Sequence, residues 1–566
     1  MKRWNGWGDE KNNFGFELTK TSQDYIENII GKSVALPEIT LEEAIAKVPQ
    51  SRAPQHKLIN TDAEVRLRHC RGQSIPDWLA THSGDLGTFP DGVAFPTTTA
   101  EVQALLQFAK QENLIIIPYG GGTSVCGHIN PESHSENNSE SHSENNSEKK
   151  PEQNDRPIIT IALTKMNKLT AFDKQSQIAT FGAGTLGPDV EKQLVEHGYT
   201  LGHFPQSWEL STVGGWVASR SSGQQSLRYG RIEKMFAGGN IETLQGSLDI
   251  PTFPASSAGP DIREMILGSE GRMGIITEVK MRVTKIAEQE KFYVAFFPSW
   301  QVGMQATREI VQNGTQLSMM RLSNEVETAS HLKLAGHDTA VKYLEKYLSI
   351  RGIPKSGSSN ANVSISDNSD KKTMFTFGIT GSKAQCKSAL KITKQFISKH
   401  KGVYIGTALG KHWQHSRFRS PYLRQGFWDA GIIVDTMETC LDWSAVPAAV
   451  KGLESDIANA LNDPDEKIHV FTHLSHFYGQ GCSVYTTFLF RMDEDYDKTM
   501  QRWLKLKAAG AEAIVKHGGT ISHQHGVGKD HAPYLAAEKG ELGIKAIKGL
   551  CQVFDPDQRM NPGKLV

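Results

Sequence analysis

Leu114-Ile115-Ile116-Ile117-Pro118-Tyr119-Gly120-Gly121-Gly122-Thr123-Ser124 is the stretch that decides how this chain is read. A short apolar run of strand length feeds straight into three glycines and two hydroxyls. Glycine lets the backbone approach a ligand closely, and successive N–H groups there can form an anion-binding nest. A pyrophosphate suits such a nest. The spacing is neither G-x-G-x-x-G nor a Walker A loop, which needs Gly-Lys-Ser/Thr. Taken alone, the run reads equally well as a plain tight turn.

Working outward, Pro90-Asp91-Gly92 predicts a turn and Val93 to Pro96 a short strand. Thr99 to Gln111 predicts a helix with Val102, Leu105, Leu106 and Phe108 on its apolar face. Leu41 to Val48 predicts a short helix behind the capping residue Thr40. Downstream come strands at Ile158 to Leu163 and Gln177 to Gly182, a helix near Val190 to His197, and a helix–turn–strand from Met265 to Val283. Between them the octamer Ser-His-Ser-Glu-Asn-Asn-Ser-Glu occurs twice, at 133–140 and 141–148. With almost no apolar side chain it cannot offset its ordering entropy, which predicts a disordered insertion over about 131–150. Weak metal binding by its histidines is the alternative. From about 287 the composition changes. Phe292 to Phe297 and Met374 to Gly378 predict strands with helices between, and Ser356 to Lys372 a surface loop. Ala508 to His517 predicts a helix, followed by a Gly518-Gly519 turn and a histidine-rich strand. The chain thus divides into an N-terminal helical or extended segment (1–85), a glycine-rich domain (86–286) and a C-terminal domain (287–566).

Lys plus Arg and Asp plus Glu both number 62 over 566 residues, so no overall basic field gathers nucleic acid. Six scattered cysteines with no CxxC pair predict reduced, buried thiols in a cytosolic setting. No signal core, no apolar run of membrane-spanning length and no Ser-Lys-Leu ending is seen. A cytoplasmic protein is expected, with at most peripheral membrane contact.

Three further segments share the small and hydroxyl character of the first. Gln206-Ser207-Trp208-Glu209-Leu210-Ser211-Thr212-Val213-Gly214-Gly215-Trp216, continuing to Ser219-Arg220-Ser221-Ser222, can lie flat against a planar ligand or pack as a buried loop. Gly268-Ser269-Glu270-Gly271-Arg272-Met273-Gly274-Ile275-Ile276-Thr277 turns tightly into a β-branched strand. Asp555 to Lys564, containing Met560-Asn561-Pro562-Gly563-Lys564, is a C-terminal turn on its own evidence.

In this order the segments resemble the vanillyl-alcohol-oxidase or PCMH-type FAD-binding superfamily. Within it, the alkylglycerone-phosphate synthase (alkyl-dihydroxyacetone-phosphate synthase) family is the nearer likeness, over almost the whole chain. The likeness also rests on Arg3-Trp4-Asn5-Gly6-Trp7-Gly8, Gly259-Pro260-Asp261-Ile262 and the run Gly518 to Lys529. It implies an α+β fold: a two-subdomain PCMH-type FAD-binding domain, and a C-terminal α+β cap made of an antiparallel sheet with flanking helices. A C-terminal tail is implied to touch FAD. Implied FAD contacts are Pro118, Tyr119, Gly120, Gly121, Gly122, Thr123 and Ser124; Gln206, Ser207, Trp208, Glu209, Leu210, Ser211 and Thr212; Ser219, Arg220, Ser221 and Ser222; and Glu270, Gly271, Arg272, Met273, Gly274, Ile275 and Ile276. Covalently flavinylated relatives carry Gly-Gly-His in the first loop. Here Gly121-Gly122-Thr123 stands in its place, which implies noncovalent FAD.

The C-terminal domain bears on the reaction. His523 and His525 sit two apart on the predicted strand, so both rings project from one face. They suit steadying an oxyanion or shuttling protons. A metal half-site or two satisfied surface histidines read as well, and no metal is expected. The family carries three consecutive histidines here, whereas Gln524 cannot take a proton at neutral pH. Tyr485 ends the segment His473 to Tyr485, where related FAD-dependent 2-hydroxyacid dehydrogenases have a metal-binding histidine. The likeness implies that Tyr485 accepts and donates a proton, which needs help from neighbouring cations or histidines. His523 and His525 are the candidates for that help. Arg424 and Arg321 match family arginines suited to hold a phosphate. The implied reaction exchanges the acyl group of acyl-dihydroxyacetone phosphate for a fatty alcohol, as in ether-lipid biosynthesis. An apolar tunnel and a homodimer are expected with it. The alternative is an FAD-linked dehydrogenase or oxidase of a 2-hydroxy acid or alcohol.

Overall fold

The computed structural model describes residues 2–10, 18–132, 156–334, 338–354, 371–463 and 465–566. The octamer repeat at 133–148 and residues 356–370 of the predicted surface loop lie outside the described residues.

The predicted strand before the glycine loop belongs to a small sheet. It contains β1 (Ile59–Asn60), β2 (Gly92–Ala94), β3 (Ile115–Tyr119) and β4 (Ile158–Ala162), in the order β1-β2-β4-β3. β2, β4 and β3 are parallel, while β1 joins antiparallel. The parallel strands are buried on both faces, so they read as unbroken apolar runs rather than alternation. Helix Thr99–Gln111 makes the crossover from β2 to β3. The Thr98 hydroxyl caps its start, and Val102, Leu105, Leu106 and Ala109 are buried along its inner face. Pro118 is tolerated because β3 lies at the sheet edge.

Next in the chain come β5 (Leu169–Asp173), β6 (Ile178–Gly182), β7 (Tyr199–Thr200), β8 (Phe236–Thr243), β9 (Gly246–Ile250), β10 (Ile275–Arg282) and β11 (Thr284–Lys285). Five of them form an antiparallel sheet ordered β5-β6-β10-β8-β9, and β7 pairs with β11.

The last sheet has seven antiparallel strands: β12 (Gln289–Phe297), β13 (Met319–Ser323), β14 (Thr373–Gly381), β15 (Val403–Gly406), β16 (Ile432–Asp442), β17 (His469–Phe477) and β18 (Gly481–Arg491). Their order is β15-β12-β14-β13-β17-β18-β16. Helices Trp300–Gln312, Lys383–Lys399, Val446–Ala458 and Tyr496–Lys516 share one apolar core with Phe375, Phe377, Leu474, Val484 and Phe488 of this sheet. Because side chains alternate along a strand, Tyr485, Thr487 and Leu489 point the other way, into a cavity. The α+β class with an antiparallel cap sheet and flanking helices is therefore as expected.

Two local expectations need correction. The helix near 508–517 is the end of a longer one, Tyr496–Lys516, capped by the Asp495 side chain. The histidine-rich segment after it is not a strand. Thr520 hydrogen-bonds to β16 through its N–H to Cys440 O (3.3 Å), and the chain then turns through Gly526 and Gly528, both at positive φ. Among the described residues, no helix is long and apolar enough to cross a membrane.

Candidate active site

A cavity of about 860 Å³ lies between the glycine loops and the open face of the cap sheet. That volume is in the range of small-molecule and cofactor sites. One wall is Pro118 to Val125, and the sequence builds it by omission of side chains. A Cβ on Gly121 would sit 1.7 Å from Leu210 O, and one on Gly120 would sit 2.4 Å from Thr212 Oγ1. Gly122 adopts φ +67°, which favours glycine. The backbone N–H groups of Gly121, Gly122, Thr123 and Ser124 make no hydrogen bond among the described residues. Four consecutive free donors on a glycine loop meet the requirement of an anion nest. Lys2 secures the loop from behind, donating to Gly121 O and Gly122 O at 3.1 Å each.

The other predicted cofactor segments converge on the same cavity. Gln206, Ser207, Ser211, Thr212, Ser219, Ser221, Ser222, Glu270, Gly271, Gly274 and Ile276 line it together with Pro118, Tyr119, Gly120, Gly121, Gly122, Thr123 and Ser124. Glu270 has φ +52°, uncommon for a residue with a side chain. Its carboxylate accepts from the N–H of Val527 (2.5 Å) and Gly528 (2.7 Å), which holds that backbone. The tail arrives through Asn561, which lines the cavity and donates to Glu270 O and His128 O.

Seven predicted contact residues are absent from the wall. Trp208 stacks on Phe418, and Glu209 accepts a hydrogen bond from the Tyr422 hydroxyl at 2.9 Å. Leu210 packs on the cap core, and Arg220 pairs with Glu264 at the surface. Arg272 donates to Met560 O, while Met273 and Ile275 are core residues of the domain below. All but Glu209 are next in sequence to a lining residue. Their side chains support the loops that the cavity touches.

On the cap sheet, cross-strand register assembles the chemistry. His473, Tyr485 and Glu438 stand directly opposite one another on β17, β18 and β16. The His473 ring stacks on Tyr485 with centroids 4.8 Å apart, and His525 meets the same phenol edge-on at 6.2 Å. Burial, with the Glu438 carboxylate beside it, pushes the Tyr485 phenol up to about 12. Beyond His473, the Glu327 carboxylate lies 3.0 Å from Nδ1 and accepts from Arg321 Nη2 at 2.6 Å. Burial opposes ionisation of Glu327, but Arg321 and His473 outweigh it and hold the carboxyl well below its usual range. Burial and the neighbouring Arg321 hold His473 down, so its ring is neutral at neutral pH.

His523 and His525 do share a neighbour, although not through strand geometry. His523 Nδ1 is 3.1 Å from one Glu438 oxygen, and His525 Nε2 is 3.9 Å from the other. His525 lines the cavity and His523 does not. His523 Nε2 receives Arg231 (2.6 Å) and the Tyr478 hydroxyl (2.8 Å). Burial and Arg231 keep its ring neutral. Glu438, His476 and His523 bring ligand atoms within 4.8 Å of one another, but the Arg231 guanidinium already occupies the His523 lone pair. Arg424 lines the cavity near Tyr485, donates to Gln73 O at 2.5 Å and lies 3.9 Å from Asp435. Arg321 also faces the cavity, with its guanidinium engaged by Glu327.

Glu438, Glu327, His473 and Arg231 were not foreseen. The sequence carries only a partial signal for His473. The Gly479-Gln480-Gly481 turn makes β17 and β18 a hairpin, but counting back from it sets Leu474 opposite Tyr485; a bulge at His476, φ +46°, shifts the register by one and brings His473 there instead.

Comparison with known proteins agrees with this geometry. A family model described as FAD binding domain matches residues 90–133 and 145–248, and one for the C-terminal domain of FAD linked oxidases matches 286–565. An alkyldihydroxyacetonephosphate synthase of Trypanosoma brucei brucei is 27% identical, covering 100% of this chain and 92% of that protein. The synthase of the same name from Dictyostelium discoideum is 29% identical, covering 97% and 84%. A solved alkyldihydroxyacetonephosphate synthase structure superposes with a TM-score of 0.80 at 26% identity, covering 100% of this chain and 99% of that one. The free donors of the glycine loop fit the pyrophosphate of FAD, which is the cofactor. Thr123, where a flavin-linking histidine would stand, agrees with noncovalent binding.

Proposed function

The chain belongs to the FAD-linked oxidase family, and on that premise we propose that it is an alkylglycerone-phosphate synthase. It exchanges the acyl group of acyl-dihydroxyacetone phosphate for a fatty alcohol. The observation that carries this reading is Tyr485, a phenol in the middle of β18 that faces the cavity with Arg424 and an apolar cluster of Phe471, Leu489, Val434, Ile26 and Phe427 on the same cavity. Its partners on this reading are a phosphorylated lipid precursor and a fatty alcohol.

The lining residues of the four glycine and hydroxyl segments hold FAD, with the phosphates on Gly121 to Ser124. Bound there, FAD supplies an electron sink for the substrate carbon. Arg424 is assigned the substrate phosphate. Arg321 faces the same cavity, but its guanidinium is committed to Glu327 and serves the cap sheet first. Tyr485 takes and returns the C1 proton. The burial that makes its phenol a poor acid makes its phenolate a strong base, as removal of a proton from carbon requires. The phenol proton must leave towards a neighbouring base, and His525, which meets the ring edge-on, is assigned that part. His523 is a positioning residue that sets Glu438 behind the phenol.

The test is an anaerobic mixing experiment on the holoprotein. Acyl-dihydroxyacetone phosphate with hexadecanol should give ether product and leave the flavin oxidised at the end. Bleaching by D-lactate or another 2-hydroxy acid, without ether product, would overturn the reading in favour of a dehydrogenase. Tyr485→Phe should cut ether formation by at least about 10²-fold while FAD stays bound. Loss of FAD in that variant would make Tyr485 structural.

A further inference from the structure

We propose that His473, oriented by Glu327 and Arg321, is the base that takes the hydroxyl proton of the entering alcohol. This rests on the synthase reading above. Orientation comes first. His473 Nδ1 faces the Glu327 carboxylate at 3.0 Å and Arg321 Nη2 at 3.2 Å; the guanidinium already donates to that carboxylate at 2.6 Å, and the nearer carboxylate offers only lone pairs, so Nδ1 carries the ring proton. Nε2 is then left with its lone pair. Arg321 donates to the same carboxylate oxygen and holds it in place, which makes both residues positioning groups.

The rest follows from the rows of the sheet. His473 lines the cavity and lies flat on Tyr485, so two proton-handling groups stand side by side. The next row along the strands is Phe471, Thr487 and Thr436, and the one after is His469, Leu489 and Val434. All six line the cavity. Three of the six are polar, Thr436, Thr487 and His469, while Phe471, Leu489 and Val434 join Leu18, Ile26 and Phe427 in one apolar cluster along this part of the cavity. Rows on one face of a strand are about 7 Å apart, so three rows guide roughly the first dozen carbons of an extended chain. A fatty alcohol lying along them brings its hydroxyl to His473 and Tyr485.

Tyr485 then handles the proton on carbon and His473 the proton on oxygen. The bond between C1 and the acyl oxygen breaks, with its electron pair leaving on the fatty carboxylate. The alcohol oxygen forms its bond to C1 as its O–H breaks, and that proton passes to His473 Nε2. The resulting imidazolium is balanced by Glu327 and gives its proton to solvent. The sum is ester plus alcohol to ether plus fatty acid, with no electron gained or lost.

His473→Gln holoprotein tests this in deuterated buffer. Two rates are read: exchange of C1 hydrogen in acyl-dihydroxyacetone phosphate without alcohol, and ether formation with hexadecanol. Ether formation should fall at least about 10²-fold while C1 exchange falls no more than about threefold. Retained ether formation overturns the assignment, and so does an equal fall in both rates. Glu327→Gln should shift the ratio of ether formation to exchange in the same direction, with Glu327→Asp recovering part of it. A purely structural role would lower both rates at a constant ratio. Should His473→Gln lose its flavin absorbance, the Glu327 pair decides alone. Wild-type protein that exchanges C1 hydrogen with solvent but makes no ether overturns the synthase reading, and this assignment with it.

Discussion

Gly121 cannot carry a side chain without moving the loop that faces it. An added Cβ would meet backbone, at 1.7 Å from Leu210 O, and backbone has no rotamer through which to yield. Overpacking of this kind costs about 1–3 kcal/mol or more. Here the displaced atoms lie next to four free N–H donors. Gly121→Ala should therefore lower the melting temperature and release FAD, read as the ratio of flavin to protein absorbance after gel filtration. Gly479→Ala is the control, since nothing lies within 4 Å of a Cβ there and it should retain its flavin. This residue-scale logic is also why the cofactor wall was legible in the sequence. A close backbone approach demands glycine wherever it occurs, and Gly120 to Gly122, Gly214-Gly215 and Gly271 declare themselves without any knowledge of what they face. Trp208, Arg220 and Met273 were less legible. They sit within the same segments, and only the direction of the side chain separates a lining residue from its support.

Elements place the chemistry that no local pattern announces. The row of His473, Tyr485 and Glu438 exists because three antiparallel strands align in register, and the three residues are spread from 438 to 485 in sequence. One pairing follows from the hairpin turn at Gly479 to Gly481 only together with the bulge at His476, which shifts the register by one residue. The other depends on the long connection through helix Val446–Ala458, which leaves no spacing to read. The segment Gly518 to Lys529 misled for the opposite reason. Its His-x-His spacing has the strand period, yet Glu438 gathers both rings onto a turn-rich loop through a shared carboxylate. At the far end, the C-terminal tail pairs with β3: Ile116 donates to Arg559 O, and Asn561 donates back to Ile116 O, both at 2.8 Å. The buried Asn561 side chain then ties Glu270 O and His128 O to the tail at 2.7 and 2.9 Å. Removing it leaves two buried carbonyls without that donor. Asn561→Ala should cost about 1–3 kcal/mol, read as a lower urea midpoint at unchanged slope, with weaker FAD retention. An unchanged midpoint would mean that the tail is held by its backbone pairing alone.

Across the whole molecule, three sheets enclose one cavity, and burial sets the titration of groups in its wall and beyond it. His82, His469 and His531 are pushed down to about 4 by burial, and His203 and His476 to about 3. Each folded value is below the unfolded one of about 6.5, so the unfolded chain binds more protons as the pH falls. The stability linked to these rings is present above about pH 6.5 and is lost towards pH 4. Three carboxyls act the other way. Burial raises Asp530, Glu325 and Glu454 to about 7, so their contribution is present below about pH 4 and is lost as the pH rises through 7. Near pH 7 the two sets roughly cancel. Near pH 5.5 almost every histidine is protonated only in the unfolded chain, and almost every one of these carboxyls only in the folded one. His69 and His525 are pushed down to about 4 as well, so the lowered histidines clearly outnumber these carboxyls. Stability should thus fall as the pH drops from 6 to 5. The holoprotein's melting temperature should be highest near pH 7 and lower at pH 5.5, measured in buffers of equal ionic strength. A melting temperature that holds or rises from pH 7 to 5.5 would show that the buried histidines reach protons in the folded state, and would remove burial as the cause of their neutrality.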